Sequence, residues 1–180
     1  MPDVFYLSLG SNVGDRATNL RAAIDRVAHM GQVKAVSSFY ETEPVDVIDQ
    51  PWFLNCVVAL EANLAPRDLL GQLLAIETQA GRIRATSKGP RILDIDILLA
   101  GESVIAEPGV TIPHPAMHER RFVLEPLAEI ASGAMHPILK KSASELLAAL
   151  PQGQIVRRLS SAASPDSPPR PPQSPPVRPR

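Results

Sequence analysis

The chain has 180 residues, a net charge of −1, 44% hydrophobic residues and a single cysteine. That length allows one domain with a proper core once a Pro/Ser/Arg-rich end is set aside. The balanced charge excludes a bulk field for nucleic acid or an anionic membrane, and lone Cys56 excludes a disulfide framework or zinc cluster. No apolar run reaches 18 residues and no signal-peptide pattern is present, so a cytoplasmic location is expected.

Val4 to Leu9 reads as a first strand, followed by a turn over Gly10 to Asp15. Asp15 suits the N-cap of a helix from Arg16 to Met30, with Leu20, Ala23, Ile24 and Val27 on one face and Gly31 as its stop. The turn lacks both the G-x-G-x-x-G and the P-loop glycine patterns. Lys34 to Glu43 reads as one strand, Pro44 to Pro51 as a loop, and Trp52 to Glu61 as a third strand with Cys56 as a buried thiol. Phe53, Asn55 and Val57 share one face of that strand. An amide there either makes structural bonds to the adjacent loop or reads the edge of a flat heterocycle, and the pattern leaves both open.

Pro66 to Ala80 has the apolar spacing of a second helix, with Gly81 as its C-cap. Glu77 near its end is either a surface charge or the partner of a neighbouring arginine. Arg82 to Arg91 then places four cations in ten residues, too polar to fold on burial and expected to be a mobile loop.

That loop leads into Gly89 to Leu99, whose Ile/Leu content reads as a buried central strand, yet it holds Asp94 and Asp96. Side chains two apart leave the same face roughly 7 Å apart. Two carboxylates at that distance repel by about 2 kcal/mol at an effective dielectric near ~20. A hard divalent cation would turn repulsion into attraction; solvation, or pairing with Arg91 and Arg82, would also relieve it. A hairpin is expected around Pro108-Gly109, followed by His114 between two prolines. Helices are expected over Phe122 to Ala131 and Ser142 to Leu150, the latter with a Ser142/Glu145 capping box. The segment 156–180 is expected to be a disordered tail, which sets the folded domain at 1–155.

Several motifs occur in one order: Gly10-Ser11-Asn12-Val13-Gly14-Asp15; Ser37-Ser38-Phe39-Tyr40-Glu41-Thr42-Glu43-Pro44-Val45; Gln50-Pro51-Trp52-Phe53-Leu54-Asn55; Gly81-Arg82-Ile83-Arg84. Gly89-Pro90-Arg91 with Asp94 and Asp96, Ile112-Pro113-His114-Pro115, and Arg120-Arg121-Phe122-Val123-Leu124 continue the series. Over about residues 3–150 the chain resembles the 6-hydroxymethyl-7,8-dihydropterin pyrophosphokinases of folate biosynthesis. The resemblance implies an α/β (α+β) fold, with a ferredoxin-like core extended to a mostly antiparallel six-stranded sheet in three layers, αβα, with flexible catalytic loops. It implies transfer of diphosphate from ATP to the pterin hydroxymethyl group with release of AMP. Two Mg²⁺ ions are implied on Asp94 and Asp96, and Arg82 and Arg91 are implied as catalytic cations. Phe53 and Phe122 look like the aromatic walls of the pterin slot and Asn55 like its amide reader, assisted near Thr42 and Val45. Arg82, Arg91, His114 and Arg120 look like phosphate ligands, Arg84, Ile97 and Thr111 like parts of the ATP pocket, and Glu77 like its supporting ion-pair partner. Lys88 stands where family members often carry an aromatic.

Competing classes are another metal-dependent nucleotide enzyme, such as a nucleotidyltransferase, and a non-catalytic ferredoxin-like binding module. The tail's arginines alone suggest nucleic acid. The expected partners are the two small substrates, with no nucleic acid and no membrane, and the chain is expected to act as a monomer.

Overall fold

The computed structural model describes residues 1–45, 47–81 and 89–159. In chain order the elements are β1 (Asp3–Ser11), α1 (Arg16–Val27), β2 (Gln32–Val36), β3 (Tyr40–Thr42), β4 (Phe53–Ala62), α2 (Pro66–Gln79), β5 (Asp94–Ala100), β6 (Ile105–Glu107), β7 (Val110–Ile112), α3 (Arg121–Ala131), α4 (Ala143–Ala149) and β8 (Val156–Arg158). Six strands make one sheet in the order β5-β1-β4-β3-β8, and β2 pairs with β4 beyond β3. All pairs are antiparallel. The other two strands form the expected hairpin, β6 with β7.

Alternation along the strands feeds two cores. Phe5, Leu7 and Leu9 of β1, with Leu54, Cys56 and Leu60 of β4, pack against Leu20, Ala23 and Val27 of α1 and Leu69, Leu73 and Ile76 of α2. On the other face Val57, Leu98 and Leu99 meet Val123, Leu124 and Leu127 of α3 and Leu146 of α4. Three layers result, α–β–α. The second helix pair leaves one end of its sheet face uncovered, and the functional residues gather there. One row of paired residues crosses that end: Asp94 is opposite Gly10, Gly10 opposite Asn55, and Asn55 opposite Tyr40.

Caps fall where the residues place them. Asp15 accepts from Thr18 N, Gly81 follows α2 at φ 96°, and Ser142 with Glu145 forms the capping box of α4. Four expectations are corrected. The strand carrying the two aspartates is an outer strand of the sheet, not a central one. Its apolar run comes from helices on both faces and from the His114 N–H bond to Leu98 O, which covers part of its outer side. Helix α1 stops at Val27, and Gly31 serves the sheet: a Cβ there would lie 2.2 Å from Glu61 O. The expected strand over 34–43 is two strands, interrupted where the Ser37 hydroxyl takes the Val57 N–H at 2.9 Å. Finally, the sheet takes in Val156–Arg158 as β8, so the ordered chain passes the expected boundary at 155. The rest of the expected tail, from 160, lies outside the described residues.

Candidate active site

The uncovered end of the sheet is the floor of a cavity of about 280 Å³. Alternate residues of four adjacent strands point into it: Asp94 and Asp96 from β5, Ser8 and Gly10 from β1, Phe53 and Asn55 from β4, and Thr42 from β3. Glu43, Pro44, Val45 and Gln50 line one rim; Arg91, His114, Arg120 and Phe122 line another. Four stretches distant in sequence thus place a carboxylate pair, cations and an aromatic–amide slot in one cavity.

In the slot, Asn55 is 4% exposed and donates from Nδ2 to Thr42 Oγ1 at 2.6 Å. Its Oδ1 sits over Gly10, where any Cβ would lie 2.6 Å away, so only glycine leaves room for this amide. Asn55 thus has a structural partner, on β3 rather than in the adjacent loop, and it also lines the cavity. Phe53 lies two residues along on the same face. Phe122 stands in the first turn of α3, with the Arg120 guanidinium 5.6 Å from its ring centroid.

At the acid end, Arg91 bonds Asp94 Oδ2 at 2.7 Å. Burial first, and the neighbouring Asp94 second, push the Asp96 carboxyl up to about 7. His114 Nε2 lies 3.9 Å from Asp96 Oδ2, while its Nδ1 accepts from Ala116 N at 3.2 Å. That bond assigns the ring proton to Nε2. Burial, and then the Arg120 cation, hold His114 below the ordinary histidine value, favouring a neutral donor aimed into the cavity. Asn12 ties three loops together here. It is 3% exposed, accepts Arg91 N at 2.7 Å on Oδ1, and donates to Gln50 Oε1 and Pro51 O at 3.0 Å each.

Of the residues singled out from sequence, Thr42, Val45, Phe53, Asn55, Arg91, Asp94, Asp96, His114, Arg120 and Phe122 converge on this cavity. Three do not. Ile97 packs in the core under α1 and α2, and Thr111 lies exposed on β7. Glu77 is 1% exposed and accepts Ile95 N at 2.7 Å, which corrects its reading as a surface charge: it holds the start of β5 from behind. Arg82, Arg84 and Lys88 lie outside the described residues. Sequence reasoning gave no role to Asn12, Ser8, Glu43 or Gln50. For Asn12 the only signal was its place in the Gly-Ser-Asn turn.

A three-layer fold whose sheet presents acids and arginines beside an aromatic–amide slot has the donors, acceptors and apolar walls that a group-transfer enzyme needs in one cavity. The chain belongs to the 7,8-dihydro-6-hydroxymethylpterin-pyrophosphokinase (HPPK) family, whose profile matches residues 6–132. It is 44% identical over 148 residues to a 2-amino-4-hydroxy-6-hydroxymethyldihydropteridine pyrophosphokinase of Pseudomonas aeruginosa, covering 81% of this chain and 91% of that one. A Bacillus subtilis protein of the same name is 46% identical over 132 residues, covering 72% and 79%. Among solved structures, wild-type HPPK-DHPS of Plasmodium falciparum superposes with a TM-score of 0.65 at 15% identity. That likeness, which shows the fold, covers 82% of this chain and 44% of that longer protein. Among the described residues no helix is long and apolar enough to cross a membrane.

Proposed function

We propose that this chain transfers diphosphate from ATP to the hydroxymethyl group of 6-hydroxymethyl-7,8-dihydropterin, giving AMP and the pterin diphosphate, as a step of tetrahydrofolate biosynthesis. Pyrophosphokinase activity follows from family membership, and ATP as co-substrate with it. The observation that carries the assignment of residues is the shared cavity: the Phe53–Asn55–Phe122 slot and the Asp94–Asp96–Arg91–His114–Arg120 cluster open into one space. The pterin would stack between Phe53 and Phe122, with Asn55 reading its edge and the chain near Thr42 and Val45 assisting.

The pterin hydroxyl attacks the β-phosphorus in line, and AMP leaves. Such transfers depend on positioning and charge neutralisation more than on covalent help from the protein. Arg91 and Arg120, with Arg82, would fork onto phosphate oxygens, neutral His114 would donate from Nε2, and Arg84 would line the ATP pocket. Ile97, Thr111 and Glu77 would support the ATP seat. The donor set at Asp94 and Asp96 fits a hard divalent cation: oxygen-only, two residues apart, and mutually repulsive when empty-handed of charge compensation. We assign these two carboxylates to magnesium, two ions in all, which when bound supplies charge neutralisation at the phosphate oxygens. The protein works as a cytoplasmic monomer, with its two small substrates as partners and no nucleic acid.

The test is incubation with ATP, Mg²⁺ and the hydroxymethylpterin, followed by identification of both products. AMP and pterin diphosphate are expected. Free pyrophosphate with a nucleotidylated product would assign the cavity to nucleotidyl transfer instead.

A further inference from the structure

The segment between α4 and β8 lies outside every motif that the site is built from, yet it bonds residues of both rims of the cavity. Gln154 stands in it, half-buried. Its Oε1 accepts the Phe122 backbone N–H at 3.3 Å, and its Nε2 donates to Glu43 O at 3.0 Å. The two partners belong to opposite rims. Phe122 is the aromatic wall at the start of α3; Glu43 follows Thr42 at the end of β3 and leads to Val45.

Both ends of this amide meet a need. The N–H groups in the first turn of a helix have no partner within the helix, and the Arg120 cap makes no side-chain bond of its own. Gln154 supplies the missing acceptor to Phe122 and spends its donor on the far rim. Its neighbours are anchored in the same way. Ile155 N donates to Glu43 Oε1 at 2.7 Å, Glu43 N donates to Ile155 O at 3.2 Å, and Arg121 reaches Leu150 O and Pro151 O at 3.5 Å each. The segment is therefore fixed, and the amide is the one side chain on it that bonds both rims.

We propose that Gln154 is a positioning residue for the pterin slot: by bonding Phe122 and Glu43 together it sets how far the Phe122 ring stands from the Thr42–Val45 side. The inference rests on the reading of that slot as the pterin seat. Stacking contacts are short-ranged, and a gap of about 0.5–1 Å forfeits a quarter to a half of the attraction. A clasp that holds the opening to a fraction of an ångström therefore acts on pterin capture. The acid end hangs on β5, Arg91 and His114, none of which Gln154 touches, and only Arg120, packed on the Phe122 ring, links the two, so the effect on ATP binding is the smaller one.

The test begins with the unaltered enzyme, whose pterin dissociation constant and products are measured first. Gln154→Ala and Gln154→Met remove both bonds; Gln154→Glu keeps an acceptor for Phe122 N and loses the donor. Expected is a rise of about tenfold in pterin KM and Kd for the first two and a smaller rise for Gln154→Glu, with kcat and the KM for ATP within about twofold. Thermal melts establish that each variant is folded, and Gln154→Glu carries the test if Gln154→Ala does not fold. Pterin KM unchanged in all variants would overturn the clasp, as would a loss confined to kcat that tracks the folded fraction. Failure of the unaltered enzyme to form AMP and pterin diphosphate would instead overturn the reading of the slot, and the clasp with it.

Discussion

Gly10 is small because Asn55 Oδ1 occupies the space a side chain would take. The nearest obstacle to a methyl group there is the end of a side chain, not backbone, so the sheet can survive the change while the amide cannot keep its place. Gly10→Ala is expected to weaken pterin binding by about tenfold or more while the melting temperature moves little, as isothermal titration and a thermal melt would measure. Asp96 tests the other end of the cavity. Asp96→Ala should cost about 10²–10³-fold in kcat and change pterin affinity only a few-fold. Full Mg²⁺-dependent turnover in that variant would remove the carboxylate from the metal role. The acid pair and Asn55 could be picked out from spacing alone, since Asp94 and Asp96 share a face by strand period and an Asn mid-strand demands partners; the need for glycine at position 10 shows only in the fold. Asn12 could not, because its partners Arg91, Gln50 and Pro51 come from two loops distant in sequence.

Strand β5 is held at the start by a helix rather than by a second strand. The buried Glu77 carboxylate of α2 takes the Ile95 N–H, so Glu77→Ala leaves a buried amide without that acceptor. The expected loss is about 1–3 kcal/mol, read from urea unfolding, with Glu77→Gln retaining most of it. The outer position of β5 was hidden in the sequence because burial on two faces gives the same apolar run as a central position. Helix α3 is fastened differently, through Glu129. Its carboxylate accepts from Ser38 Oγ at 2.7 Å and Tyr40 OH at 2.8 Å, and it pairs with Arg158 of β8 at 2.9 Å. Burial by itself would raise this carboxyl, but the Ser38 and Tyr40 bonds and the Arg158 charge outweigh it and hold it below its ordinary value of 4.5. With the folded value depressed, the stabilisation is fully present above that ordinary value and fades as pH falls through the folded one. Glu129→Gln should therefore be less stable than the parent at neutral pH, with the gap narrowing below about pH 4.5, as urea midpoints across pH would record.

For the molecule as a whole, the most informative boundary is the one at the C-terminal side. β8 closes the sheet on β3 and brings Arg158 to Glu129, so a chain cut after 155 loses an edge strand and an ion pair together. It should melt at least about 3 °C below a chain cut after 159, which a thermal scan of the two would measure. The main helices and their caps were readable from periodicity and from Asp15, Gly81 and Ser142, while the layer order came from the family resemblance alone. β8 was not, since three residues next to a proline-rich stretch carry too little pattern to register as a strand. The row that joins Asp94, Gly10 and Asn55 carries a consequence for how such a chain can vary. Adjacent strands stand about 4.8 Å apart, so the acid and the amide are gauged roughly 10 Å from one another by backbone alone, with β1 as the spacer. Insertion of one residue into β1 ahead of Gly10 would throw both neighbours out of step at once, whereas the rim loops can lengthen without disturbing that ruler. Changes in length are therefore expected to be tolerated in the rim loops and not in β1, which keeps the distance from acid to amide fixed.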